Sequence, residues 1–446
     1  MITSITLRNF KTFRDSTRVE FGPVTIVLGA NGSGKSNLFD AMRFLKAVGD
    51  GRSVRDAIEG HASPSTASTV VTGVRGGGAA VTHFLSGSTE FEVEVQMTVG
   101  ARRIEYSLTV DAARYRVAQE DLRALTHHPG QYVYSTKPES GPLEQDPDSP
   151  VVVARFHKET RGLNPRRDFS PYDFILTQFT SRKAESRINE EIADLVRREF
   201  ASIRLLELRP EVLRQYSPLG RSDLGEHGEN FAAALWELVN DAEGKHPVHV
   251  RERTGGEESR FQTRSDNPEA HDRLDAINAW LTELTPVPIE TVKTIQAPTG
   301  EVIFAVKEAG FGRDIAAPSL SDGTLRFAAL TLAAVGAQGR QTLVVEELEN
   351  GISPSRLNLL VRMLEQTAES SPEIQVIAST HSPAVLDDAA EQTRRHSVVF
   401  GWDSETMSSR PIAISRLPSL DDVLADRSLG DLQAEGWLQL AADFAS

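Results

Sequence analysis

The chain has 446 residues, of which 39% are hydrophobic and 25% charged, and a formal net charge of -15. That length asks for two or three lobes rather than one core. The charge excludes a uniformly DNA-attracting surface, so any nucleic-acid contact needs a local basic patch. Cysteine is absent, which excludes disulfides, thiolate chemistry and cysteine-ligated metals. No apolar run is long enough to span a bilayer, and MITSITLRNF lacks the basic start and apolar stretch of a signal peptide. The expected location is the cytoplasm, with no membrane contact.

The first strong pattern is the apolar run Val24 to Leu28, which predicts a buried strand. It runs into Gly29-Ala30-Asn31-Gly32-Ser33-Gly34-Lys35-Ser36, a match to G-x-x-x-x-G-K-[ST]. Glycines there let the backbone turn its N–H groups onto phosphate oxygens. A helix beginning at that point adds its positive end, and Asn37 to Leu45 is apolar at helical spacing. Asn31, Gly32, Ser33, Gly34, Lys35 and Ser36 are therefore the candidate nucleotide-binding residues. Lys35 reaches the outer phosphates and the Ser36 hydroxyl suits Mg²⁺.

Phe91, Val93, Val95, Met97 and Val99 alternate, and Arg103 to Val110 follows a Gly100-Ala101 turn. This predicts an antiparallel hairpin with one solvated face, and a third strand near Tyr115. The stretch 127–149, rich in Pro, Gly and Ser, reads as an exposed loop. Arg155, Lys158, Arg161, Arg166 and Arg167 then form the densest basic run in an acidic chain. It suits a phosphate or DNA contact, or equally a solvated loop balanced by local acids. Helical spacing recurs over 182–200, 228–238 and 271–284 without sustained heptads, so no long coiled coil is expected.

Leu320-Ser321-Asp322-Gly323-Thr324 reads as a capped helix start before an apolar helix. Thr342 to Val345 is a strand leading to Glu346-Glu347, a parallel strand expected to end beside the phosphate loop. Glu346 is the candidate for the metal and Glu347 for the attacking water. A helix over 355–367 leads to a second strand, Gln375 to Ser379, running into Thr380-His381-Ser382-Pro383. His381 there suits a sensor of the terminal phosphate. Leu429, Leu432, Trp437, Leu438 and Leu440 mark an amphipathic tail that packs on its own domain or in a partner groove.

In this order, GANGSGKSN, LSDGT, VVEELENG and STHSP resemble the ABC-type ATPases, in the soluble branch related to SMC proteins, RecF and the OLD-family ATPases. Ile5 to Phe13 looks like the opening strand of that branch. The resemblance implies an α/β fold: a P-loop head of ABC type with an antiparallel β subdomain and a helical lobe. The lobes expected are 1–180, 181–310 and 311–446. It also implies ATP and Mg²⁺ as ligands and a glutamine, here Gln178, that contacts metal and water.

Two heads would sandwich two ATP molecules, Ser321 and Gly323 of one facing the nucleotide held by Lys35 of the other. A homodimer is thus expected, coupled to a DNA transaction such as repair or anti-phage defence. The second expectation is a regulatory switch that gates a protein effector without touching DNA. A transporter subunit fits worse, because the LSDGT signature and the large insertions argue against it. Glu346 stands where most ABC proteins have Asp, and Leu348 and Ser353 replace the proline and histidine frequent in the OLD-like branch. No Asp-x-Asp pair follows Pro383, so a nuclease, if one acts, is a separate protein.

Overall fold

Residues 1–62, 70–125, 132–137, 148–158, 164–180, 187–220, 223–251, 257–263, 267–285, 287–310, 312–337, 339–382, 384–417, 420–424 and 426–444 are described by the structure, a computed structural model. The chain divides into two units. One comprises Met1–Leu205, Arg340–Val344 and Pro372–Ser446, the other Leu206–Gly339 and Val345–Ser371.

The first unit holds an eight-stranded sheet whose described pairings are antiparallel. Its order is Arg166–Phe169, Val152–Phe156, Tyr132–Ser135, Arg116–Ala124, Arg102–Asp111, Glu90–Val99, Ile2–Arg8 and Thr17–Glu20. Alternation dictates which face is buried: Phe91, Val93, Val95 and Met97 point into the core, while Glu92, Glu94 and Gln96 do not. The expected hairpin and third strand are present. Sequence reasoning missed the breadth of this sheet, because three further short strands follow within and beyond the stretch expected to be loop. Tyr132–Ser135 lies inside 127–149, and Arg155, Arg166 and Arg167 of the basic run fall on strands. The rest of 127–149, apart from 136–137 and 148–149, and Arg161 lie outside the described residues. The opening strand is Ile2–Arg8; Asn9 and Lys11 then turn the chain with φ of 51° each.

Glu120 is fully buried on Arg116–Ala124. Its carboxylate accepts from the Tyr134 hydroxyl at 2.7 Å and from the backbone N–H groups of Ile175 and Leu176 at 2.7 and 2.8 Å. It thereby caps the helix Ile175–Thr180. Burial pushes its carboxyl up to about 7.

The second sheet is mixed, in the order Ile203–Leu206, Gln341–Val345, Ile374–Ser379, Val24–Gly29, Val398–Asp403, Ser408–Ala413. Its central strands are rich in apolar residues and buried along almost their whole length, as strands covered on both faces must be. Val24–Gly29 pairs in parallel with Ile374–Ser379 on one side and Val398–Asp403 on the other. The strand Ile374–Ser379 stands between the acidic strand Gln341–Val345 and the phosphate-loop strand. The tail helix Trp437–Phe444 packs on Val398–Asp403 and buries Leu438, while Leu440 is 56% exposed.

The second unit carries the helices Phe231–Ala242, Pro268–Leu284, Asp322–Val335 and Pro354–Ser370. Beside them lies a three-stranded antiparallel sheet, Ile289–Gln296, Val302–Glu308 and Asp314–Ala316. No described helix is long and apolar enough to cross a membrane.

Candidate nucleotide site

The strand Val24–Gly29 ends where the helix Lys35–Gly49 begins, and residues 30–34 make the turn. Gly34 caps the helix with φ 105°, and a Cβ there would lie 1.9 Å from the Ser409 hydroxyl. Only glycine fits. A Cβ on Gly32 (φ 80°), by contrast, would meet nothing within 4 Å among the described residues. Asn31, Gly32 and Ser36 are exposed, while Ser33 and Lys35 are buried. The Lys35 ammonium donates to the carbonyls of Gly29 and Ala30 at 2.6 and 2.9 Å, and the Ser33 hydroxyl is buried with no partner among the described residues. The first N–H groups of a helix have no partner within it. A concave run of backbone N–H groups, a lysine poised across it and an exposed Ser36 hydroxyl fit a phosphate chain with its Mg²⁺.

The loop is fastened from below by residues the sequence did not single out. Ser409 donates to the Ser33 carbonyl at 2.7 Å and pairs with the Thr12 hydroxyl at 2.6 Å, to which Asn37 also donates at 2.7 Å. The Ala30 N–H donates to the Gln439 side chain at 3.3 Å, so the tail helix reaches the loop. No local signal marks Ser409 or Gln439, since both arrive from hundreds of residues away. On the second turn of the loop helix, Asp40 is buried. It receives Arg43 at 2.5 Å, Arg75 at 2.9 Å and the Lys11 ammonium. Three cations around one carboxylate leave a positive excess on this helix, which favours an anion at its start.

Strand register decides which other candidates arrive here. Ser379 pairs with Val27, and the Thr380 N–H donates to the Val27 carbonyl at 3.2 Å. His381 is exposed and thus leaves the sheet at the same edge as Gly29. Gln178 does not. Its amide accepts from the Ser170 N–H at 2.9 Å and donates to the carbonyls of Ser170 and Asp173 at 2.8 and 2.9 Å. It lines a cleft of about 470 Å³ with Asp50 and Gly51. Those residues follow the far end of the loop helix, roughly 20 Å along its axis. The structure holds Gln178 away from the phosphate loop, contrary to the expectation that it reaches metal and water.

The remaining candidates belong to the second unit. Ser321 caps the helix Asp322–Val335, its hydroxyl accepting from the Thr324 N–H at 3.1 Å, and it is exposed. A Cβ on Gly323 would lie 2.5 Å from the Gly351 carbonyl oxygen, so this helix start is pressed against the turn that follows the acidic pair. The N–H of Glu346 donates to the Leu206 carbonyl at 3.0 Å. Glu347 is exposed and has φ 52°, a left-handed conformation that few residues other than glycine and asparagine adopt. Asn350 donates to its carboxylate at 2.5 Å.

Arg166 and Arg167 lie on the first strand of the eight-stranded sheet, with Arg155 on its neighbour. Arg155 stands directly opposite Arg166, a like-charge pairing that costs stability. Arg167 sits over the Phe156 ring at 5.6 Å, and Lys158 is exposed.

The family described as "AAA domain, putative AbiEii toxin, Type IV TA system" matches residues 24–387. The chromosome partition protein Smc of Rhodopirellula baltica is 43% identical over 56 residues, and that of Desulfitobacterium hafniense is 40% identical over 55. Each alignment covers 12% of this chain and 5% of the relative's length. Among solved structures, an Smc head bound to the C-winged helix domain of ScpA aligns at 13% identity over 93% of this chain and 98% of the other, with a TM-score of 0.48. The SMC head domain of Thermotoga maritima aligns at 12% over 92% and 98%, with a TM-score of 0.40. The matched stretch contains the phosphate loop, the Ser321 turn, the acidic pair and His381 in order, and the chain belongs to this AAA-domain family.

Proposed function

We propose that the chain binds Mg²⁺·ATP on Asn31–Ser36 and hydrolyses it, using hydrolysis to release a dimer that ATP holds together. The observation that carries this is the phosphate loop itself: Gly34 in a conformation open only to glycine, with Lys35 and Ser36 opening a buried helix. Lys35 holds the outer phosphates, and Ser36 with Glu346 holds the metal, which supplies charge neutralisation at the phosphates. Glu347 orients the attacking water as general base. Its left-handed backbone supports this, since residues kept in such conformations cluster at working sites. His381 senses the terminal phosphate. Ser321 and Gly323 of a second copy complete the site, so that ATP selects the dimeric state by differential binding.

The dimer serves a DNA transaction, repair or anti-phage defence. Arg155 and Arg166, set face to face at a sheet edge with Lys158 nearby, support a phosphate contact. The net charge of -15 favours the second reading, a switch that gates a protein effector. Size-exclusion chromatography of Glu347→Gln with Mg²⁺·ATP tests the dimer. A shift to twice the mass that is absent without nucleotide supports it; a monomer under both conditions refutes it. Duplex binding at low salt, with and without ATP, separates the two readings: no affinity in either state sinks the DNA reading and leaves the switch.

A further inference from the structure

Resting on the reading of Glu347 as the carboxylate that orients water, we propose that Arg326 is a positioning residue. It holds the acidic turn in its left-handed conformation and ties Glu347 to the Ser321–Gly323 end of the helix Asp322–Val335.

Arg326 lies on the second turn of that helix and is 6% exposed. One guanidinium nitrogen, Nη1, donates to the Leu208 carbonyl at 2.7 Å, and Nη2 donates to the Glu347 carbonyl at 3.2 Å. Its Nε is buried and has no partner among the described residues. A buried guanidinium gives up hydration that two neutral carbonyls replace only in part, and an apolar side chain of similar volume would pack there at lower cost. The residue therefore needs a reason beyond filling space. Its own basicity is lowered by burial and supported by the nearby carboxylates of Glu347, Glu349, Glu207 and Asp322.

The contacts supply that reason. Glu347 occupies a conformation its side chain disfavours (φ 52°), so something must hold its backbone. Arg326 grips the carbonyl of that same residue. Four residues on, the Gly351 carbonyl is pressed against Gly323 of the same helix. One rigid helix thus touches the acidic turn at both ends, through Arg326 at Glu347 and through Gly323 at Gly351. Its exposed N-terminus is Ser321, the residue proposed to meet nucleotide on a second copy. A displacement there is carried to the Glu347 backbone without any loop having to relay it. This links assembly to water positioning, and it gives Arg326 a role through Glu347 and not through the nucleotide.

The test is steady-state ATP turnover and nucleotide affinity for wild type, Arg326→Met, Arg326→Lys and Glu347→Gln, with thermal melting of each. Misplacing a catalytic group by a fraction of an ångström lowers kcat on the order of tenfold to a hundredfold. That loss is expected for Arg326→Met, with KM and nucleotide Kd within about twofold of wild type. Arg326→Lys, which keeps the charge and a donor, recovers part of the loss; it also carries the comparison if the Met variant does not fold. Combining Arg326→Met with Glu347→Gln adds no further loss. Wild-type kcat in folded Arg326→Met, with Glu347→Gln inactive, overturns the coupling alone, as does a loss of kcat and nucleotide affinity in equal proportion. Wild-type turnover in Glu347→Gln overturns the reading of Glu347 and the coupling with it.

Discussion

Glu120 offers a prediction that can be worked in numbers from the structure. Its carboxyl is fully buried and titrates at about 7, against an ordinary value of 4.5. Desolvation is the dominant cause, opposed by hydrogen bonds from Tyr134, Leu176 and Ile175. The folded state thus prefers the protonated form. Below pH 4.5 both folded and unfolded chains carry the proton, and the contribution of Glu120 to stability is complete. Between 4.5 and about 7 the unfolded chain loses its proton first, so stability falls as pH rises, and above 7 the loss is complete. At about 1.4 kcal/mol per pH unit the interval comes to about 3 kcal/mol. Glu120→Gln cannot titrate. Its amide keeps the volume but presents an N–H₂ group to backbone donors, so it is less stable than wild type at pH 5 by about 1–3 kcal/mol. The assay is denaturant unfolding at pH 5, 6, 7 and 8 for both proteins. The stability difference between them should narrow or reverse on raising the pH, by about 3 kcal/mol in all. Parallel pH curves for the two would refute the burial of a titrating carboxyl at this position.

Gly323→Ala places a Cβ 2.5 Å from the Gly351 carbonyl oxygen, a backbone atom that cannot swing aside. Overpacking costs about 1–3 kcal/mol, which exceeds the roughly 1 kcal/mol that alanine gains over glycine in a helix. The variant should therefore melt lower and turn over ATP more slowly, and an unchanged melting temperature would contradict the close contact. Arg155→Glu with Arg166→Glu removes two facing cations. If that edge binds duplex DNA, affinity falls uniformly across sequences, and the salt dependence of binding loses a slope of about 2. Unchanged affinity and slope would place any DNA contact elsewhere.

What could be read from sequence was local. The phosphate loop is nearly self-sufficient, since Gly34 and Lys35 act through the strand before them and the helix after. The alternation from Phe91 to Val99 likewise fixed one sheet face, because burial follows the pleat. What escaped reading was set by distant partners. No residue in Thr342–Glu347 announces that Ile374–Ser379 stands between that strand and Val24–Gly29. Ser409 and Thr12 are ordinary hydroxyl residues until folding sets them under the Ser33 carbonyl. Gln178 was singled out by type and order in the chain, yet its amide is spent on the turn at Ser170–Asp173. The left-handed backbone of Glu347 and the grip of Arg326 on it are tertiary facts that residue names do not carry.

The central claim is that a glycine loop and a strained carboxylate turn over ATP, and steady-state turnover with Mg²⁺ tests it most directly. Wild type, Lys35→Ala and Glu347→Gln should be compared, each with and without linear duplex DNA. The account predicts that both variants lose turnover by at least about a hundredfold, and that Glu347→Gln still binds ATP while Lys35→Ala does not. Turnover at the wild-type rate in Glu347→Gln would contradict it, because the water would then be oriented by another residue.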